Sequence, residues 1–230
     1  MRNIEPNLTQ LSLKQEFAAS AAQQRLLMAA LRLFAEKGFA NTSIRDLAQD
    51  AKVNISAISY YFGDKKGLYK AAFTHTHQCG GTDELWLADF SSPESLNLSD
   101  FLRKLLQGFT EPLKLGELAA WRVRLQMREM IEPTGLWEHE IQFKIAPMLA
   151  ALQARLIKEL QLEKVDDSIR RLAFSIVGLG VHVMVSRDVV TQLMPNLTSS
   201  TEAIDSYTEQ LVIYAQAMVE SERLVRSKKL

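Results

Sequence analysis

Cysteine is nearly absent: Cys79 is the single one in 230 residues. No disulfide can form within the chain, and this usage fits a reducing compartment. Glycine and proline are scarce, at ten and six. That is well below the roughly 12% of ordinary chains, which disfavours a turn-rich all-β fold and favours helices. Long apolar runs are missing as well. The longest, Leu172 to Val185, contains His182 and falls short of the ~20 residues that cross a bilayer. The start, Met1-Arg2-Asn3-Ile4-Glu5-Pro6, lacks a basic patch followed by an apolar run, so no signal peptide is expected. There is no internal repeat and no low-complexity segment. An intracellular, cytoplasmic helical protein without a membrane span is the expectation.

What is present is an ordinary globular balance, 47% hydrophobic and 23% charged, with a formal net charge of zero. The charge is unevenly placed. Residues 20–79 hold eight Lys/Arg against four acids, a net +4, and residues 80–230 carry the compensating −4. A basic N-terminal third on an acidic remainder suggests a polyanion-binding module attached to a body with another task.

Residues 1–19 are polar without sustained periodicity and read as a flexible tail. A helical stripe then begins, with Leu27, Ala30, Leu31 and Phe34 at spacings of three and four, and Gly38 is placed to stop it. Ser43 and Asp46 have capping-box spacing, and Ile44, Leu47, Ala48 and Ala51 give the following helix an apolar face. Asn54 caps the next helix, with Val53 and Ile58 placed as a hydrophobic staple. Asp64 caps a fourth, running through Leu68, Ala72 and Phe73. Two short helices joined by a tight turn at Ala51-Lys52-Val53 outline a helix-turn-helix. Beyond Gly81 the pattern predicts helices near 84–90, 98–110, 116–131, 137–161, 167–187 and 201–226. Pro112, Pro133 and Pro195 mark breaks and Pro147 a kink. The 167–187 segment is apolar almost all round after Arg171, as in a helix buried by neighbours or by a partner chain.

Residues 25–68 resemble the DNA-binding domain of the TetR family of bacterial repressors. The matching features are Arg25, Leu27, Ala30, Phe34 and Gly38, then Thr42-Ser43, Leu47-Ala48, Ala51 and Val53, and finally Ile58, Tyr60-Tyr61-Phe62, Lys65 and Leu68. Beyond them, Arg128-Glu129, Pro133, the 137–161 helix and the stretch from Gly178 to Arg187 are similar to the C-terminal domain of the CecR (YbiH) branch. Lys52 stands where the family usually has glycine, so a residue with a side chain must adopt the turn geometry there. Ile55 stands where a basic residue is common.

The resemblance implies an all-α fold in which residues 20–80 form a three-helix helix-turn-helix head and residues 81–230 an effector-binding and dimerisation domain. In such a motif the second helix meets base edges in the major groove while flanking groups hold phosphates. Here it offers Ile55, Ser56, Ala57, Ser59 and Tyr60. Serine hydroxyls suit several bases and the apolar members a thymine methyl. Tyr61 and Lys65 match family positions for phosphate, Thr42 and Ser43 with the exposed amides at a helix start suit a phosphate as well, and Arg45, on the solvent side of its helix, can reach either backbone or base.

The implied partners are a palindromic double-stranded operator, a second copy of the chain and a small-molecule effector. A ligand-responsive repressor on the nucleoid is the reading; a helical interaction module that has lost DNA binding is the alternative. Trp121, Arg124, Arg128, Phe174 and His182 are the candidates for the effector pocket. The 167–187 and 201–226 helices are expected to form a four-helix dimer seam, with Arg187 and Asp188 as a rim pair. No catalytic set, metal site or cofactor is expected. His75, His77 and Cys79 alternate at i and i+2, which point apart on a helix. Gly178-Leu179-Gly180 reads as small residues for close helix packing.

Overall fold

The computed structural model of the chain describes residues 8–78 and 96–228, with side chains over 21–74 and 96–228. Cys79, the helix expected near 84–90 and the expected boundary at 80/81 lie outside the described residues, as do the side chains of His75 and His77. The fold is all-α; among the described residues there is no strand.

Helix α1 spans Leu8–Asn41. It therefore reaches twelve residues into the segment expected as a tail, where Leu, Gln, Lys, Glu and Ala are good helix formers without an apolar stripe. It is interrupted at Gly38, whose φ of 81° and ψ of 169° belong to a region open essentially to glycine alone. This is a break in an extended geometry, not the αL stop anticipated. Helices α2 (Ile44–Asp50), α3 (Ser56–Phe62) and α4 (Lys65–Gln78) pack on α1. Their common core is made by Leu26, Ala30, Phe34, Leu47, Ile58, Leu68 and Phe73. We call this unit the head.

The body starts with α5 (Leu98–Thr110), a 3-10 turn (Glu111–Leu115) and α6 (Gly116–Ile131). A short α7 (Trp137–Glu140) passes through a π-turn (Ile141–Ile145) into α8 (Ala146–Glu159). The disturbance expected at Pro147 takes that form: the Ala146 amide bonds back to Ile141, five residues earlier. The wider turn accommodates the ring one residue further on. Helix α9 (Asp167–Val185), α10 (Arg187–Leu193) and α11 (Thr201–Ser227) complete the chain. A second core joins Phe101, Leu105, Leu152, Leu156, Ile169, Ile176, Leu211 and Ala215 from α5, α8, α9 and α11. Gly180 is a close approach, since a Cβ there would lie 2.4 Å from the Phe109 ring.

Helix α9 is longer than its apolar run, and its mean hydropathy of 1.4 makes it the one described helix apolar enough to cross a membrane. One face of it, with Ile169, Leu172, Ala173 and Ile176, lies in the body core. The other is open: Phe174 is 71% exposed and Val185 52%. Helix α11 has a similar open stripe, with Ile213, Tyr214, Leu224 and Val225.

Head and body are joined through α6. Leu125 is fully buried in the head's core although its helix belongs to the body. The two neighbouring residues Arg128 and Glu129 bond to opposite parts of the head, as described below.

Candidate nucleic-acid interface

Each helix of the expected DNA-reading unit is fixed by a short-range device. The Ser43 hydroxyl accepts from the Asp46 amide at 3.1 Å, and the Asp46 carboxylate accepts from the Ser43 amide at 3.1 Å. This reciprocal cap satisfies two otherwise orphan donors of α2. Hydrogen bonds from Ser43 hold the Asp46 carboxyl below the usual range.

Helix α2 closes in a Schellman motif, with the Val53 amide on the Ala48 carbonyl and the Lys52 amide on the Gln49 carbonyl. That motif wants an αL residue at the position of Lys52, and Lys52 does have a φ of 53°. The side-chain-bearing residue thus adopts the turn conformation for which glycine is preferred. From the other side Arg25 of α1 donates to the Ala51 carbonyl at 2.9 Å, tying the turn down.

Asn54 caps α3 as its sequence context suggested: its Oδ1 accepts from the Ser56 amide at 3.0 Å. The Ser56 hydroxyl donates to the same oxygen at 3.0 Å. With its proton so engaged, the Ser56 hydroxyl presents lone pairs outward and behaves as an acceptor. Ile58 is buried, and Ile55, Ser56, Ser59 and Tyr60 are exposed, with Ala57 and Tyr61 half-buried. Tyr60 is 81% exposed, and its ring meets that of Tyr61 edge-on at 4.8 Å between centroids.

Asp64 caps α4 through the Gly67 amide at 2.7 Å. Gly67 is required by contact, since a Cβ there would sit 2.0 Å from the Phe62 carbonyl oxygen. Sequence reasoning did not single it out; its one signal is a glycine in the first turn of a helix that has no need of one. The Lys65 ammonium lies 4.3 Å from the centre of the Phe39 ring, a cation–π distance, and burial lowers its pKa. Lys66 and Lys70, four apart on α4, are both exposed.

One of the expected contacts is placed differently. Thr42 is buried, its hydroxyl donating within 2.8 Å of the Gly38 carbonyl and 3.2 Å of that of Leu33. It closes the broken end of α1 and offers no hydroxyl to a phosphate. Ser43 and Arg45 remain exposed beside it.

A cavity of about 860 Å³ lies between α6, α10, the 3-10 turn and the end of α1. Trp121, Arg124 and Arg128 line it, with Leu113, Met127, Met184, Arg187, Asp188 and Gln192. Phe174 and His182 do not. They stand on the open face of α9, where His182 Nδ1 is 3.2 Å from the Ser186 hydroxyl. A helix apolar all round does not reveal which stripe its own chain covers. Arg187 and Asp188 are not paired with each other. Asp188 accepts from Arg124 at 3.2 Å, and Arg187 donates to the Gly116 carbonyl at 3.4 Å.

Behind the cavity, Arg128 donates from Nε to the Ala35 carbonyl and from Nη2 to the Glu36 carbonyl, each at 2.7 Å. Glu129 is fully buried. It accepts from the Tyr69 hydroxyl at 2.8 Å and from the Thr134 and Leu136 amides at 2.8 and 2.9 Å. Burial, and next the bond to Glu129, push the Tyr69 hydroxyl pKa upward. Among the described residues no group of His, Cys, Asp or Glu is arranged to hold a metal ion.

An all-helical chain with a capped helix-turn-helix at one end and a helical body at the other is built as a helix-turn-helix regulator is. Residues 26–72 match the family "Bacterial regulatory proteins, tetR family", and residues 98–218 match "HTH-type transcriptional dual regulator CecR, C-terminal domain". The chain belongs to the TetR family, close to CecR. The dual regulator CecR of Shigella flexneri is 41% identical over 69 residues, 30% of this chain and 26% of that protein. The regulator BetI of Burkholderia thailandensis is 36% identical over 64 residues, 28% of this chain and 30% of that one. These matches therefore span less than a third of the relatives' own lengths.

Among solved structures, a TetR-like regulator from Rhodococcus sp. RHA1 aligns over 85% of this chain and 96% of its own, with a TM-score of 0.58 at 20% identity. FadR of Bacillus subtilis in complex with stearoyl-CoA aligns over 84% and 96%, with a TM-score of 0.58 at 16% identity. These likenesses concern the fold. Family and relatives are transcriptional regulators, not enzymes.

Proposed function

We propose that this chain is a cytoplasmic, nucleoid-bound transcriptional regulator that binds a palindromic operator as a homodimer and releases it in response to a small molecule. Residues 20–80 serve as the DNA-binding domain and residues 81–230 as the effector-binding and dimerisation domain. The observation that carries this reading is the outward face of α3. Ile55, Ser56, Ser59 and Tyr60 are exposed on a helix whose opposite side is anchored by buried Ile58. No carboxylate stands on this helix, and α4 beside it brings Lys65, Lys66 and Lys70. Ala57 and Tyr61, half-buried, border the same face, and Ser43 and Arg45 flank it for the phosphates.

With its proton held by Asn54, Ser56 accepts from adenine N6 or cytosine N4 in the major groove. The open apolar stripes of α9 and α11 supply a seam at which two copies meet, with Phe174 and Val185 facing Ile213 and Leu224 of the four-helix arrangement. Gly178 within that stripe is exposed and small, which admits a close neighbour. A two-fold dimer presents two α3 helices, so half-sites lie one or more helical turns apart, roughly 34 Å each. Occupation of such a site blocks a promoter. The cavity beside Trp121, Arg124 and Arg128 is of the size that small ligands fill.

The test is an anisotropy titration with the DNA upstream of the protein's own gene across a salt series. Affinity is expected to fall linearly with salt on logarithmic axes, and Lys65→Ala to reduce the slope by about one per protomer. Salt-insensitive binding, or none to any genomic fragment, would instead fit a helical interaction module.

A further inference from the structure

Arg128 belongs at once to the cavity and to the fastening of the head. It lines the cavity wall, and its guanidinium is held by the carbonyl oxygens of Ala35 and Glu36, just ahead of the break in α1 at Gly38. These acceptors are neutral. A carboxylate in the same place makes charge-assisted bonds roughly twice as strong, with the planar fork matching both oxygens.

The wall carries three acids and three arginines, and two of those acids are already engaged. Of the three acids on its wall, Glu36 bonds Arg32 at 3.4 Å and Asp188 bonds Arg124 at 3.2 Å. Glu117 shares the wall with Arg128 and Arg187, and the Glu132 carboxylate lies near the Arg128 guanidinium beside Gly38. The rest of the wall is mainly apolar.

We propose that the cavity takes an amphipathic carboxylate, and that this anion draws Arg128 away from the Ala35 and Glu36 carbonyls, unfastening one of the two polar ties between head and body while Leu125 stays packed in the head's core. The other tie persists. Glu129 continues to hold Tyr69 of α4 with Thr134 and Leu136, so the head turns about that point and does not come away. The ligand favours the turned state only by its extra affinity for the freed guanidinium. This inference rests on the regulator reading for its purpose, but its geometry can be tested without DNA.

The probes are decanoate and decanamide, which share a tail and differ in charge, measured by calorimetry on the full chain. Hydrogen exchange of the amides of residues 34–41 is followed in parallel. Decanoate is expected to bind about tenfold tighter than decanamide and to speed exchange in that segment, with decanamide leaving it unchanged. Arg128→Gln should abolish the preference and give fast exchange without any probe. Arg128→Lys, which keeps the charge but not the fork, should retain the preference and also exchange fast. Should Arg128→Gln fail to fold, the comparison of the two probes on the wild type and on Arg128→Lys still decides.

Equal affinity for the two probes, binding of neither, or decanoate binding without faster exchange at 34–41 would overturn the proposal. The DNA titration is separate. A protein that binds DNA but fails these tests loses only the Arg128 tie, and one that passes them but ignores DNA loses only the regulator reading.

Discussion

Head and body are held together by contacts of different reach. In the head the caps of α2, α3 and α4 join residues two or three apart: Ser43 with Asp46, Asn54 with Ser56, Asp64 with Gly67. The longest bond within the head among those given above, Arg25 to the Ala51 carbonyl, spans 26 residues. The body has similar caps at Asn97, Asp166 and Ser200, but other bonds in it join far more distant segments. The Arg103 guanidinium meets Glu209 across 106 residues, the Thr110 and Thr208 hydroxyls meet across 98, and Lys114 reaches Asp205 across 91. A short-range bond positions a side chain against its own backbone, which suits a surface that must fit a rigid groove. A long-range bond positions one helix against another, which fixes how the helices of the body pack.

This contrast can be broken by substitutions that disturb one region at a time. The largest effect is expected for Gly67→Ala, whose new methyl would meet the Phe62 carbonyl. A loss of about 4 kcal/mol should melt the head, and hydrogen exchange should rise in 26–73 with the body core still protected. Equal loss of protection in both regions would mean that they unfold as one unit. Thr208→Val removes the buried hydroxyl pair with Thr110 and should cost about 1.5 kcal/mol in urea unfolding, felt in the body alone. Asn54→Ala removes the α3 cap for about 1 kcal/mol. It also frees the Ser56 proton, so base preference at the site should change along with stability. The smallest expected effect is a gain. Lys52→Gly relieves a positive φ and should raise the denaturation midpoint by an amount equal to about 0.5 kcal/mol.

The same difference in reach governs what the amino-acid sequence revealed. The capping residues, the Val53–Ile58 staple and the helices Leu98–Thr110 and Gly116–Ile131 follow from spacing alone, because their causes lie within a turn or two of chain. The demand on Lys52 was legible for that reason too. Thr42 was not, since its hydroxyl turns inward to Leu33 and Gly38, a partner set created by the break in α1. Arg128 reads from the sequence as an effector-pocket residue and lines the cavity, but its bonds to Ala35 and Glu36 span more than ninety residues. Phe174 and His182 lie on a helix with two apolar faces, and periodicity does not say which face the chain itself covers. Gly67 escaped notice because the carbonyl it makes room for belongs to the preceding helix.

The most direct measurement is a chemical footprint of the protein on a genomic fragment that it selects, compared with that of Tyr60→Ala. Two protected major-groove patches, one or more helical turns apart and both lost in Tyr60→Ala, are the result expected if α3 reads DNA twice per particle. A single patch, protection confined to the minor groove, or a footprint indifferent to Tyr60 would contradict it.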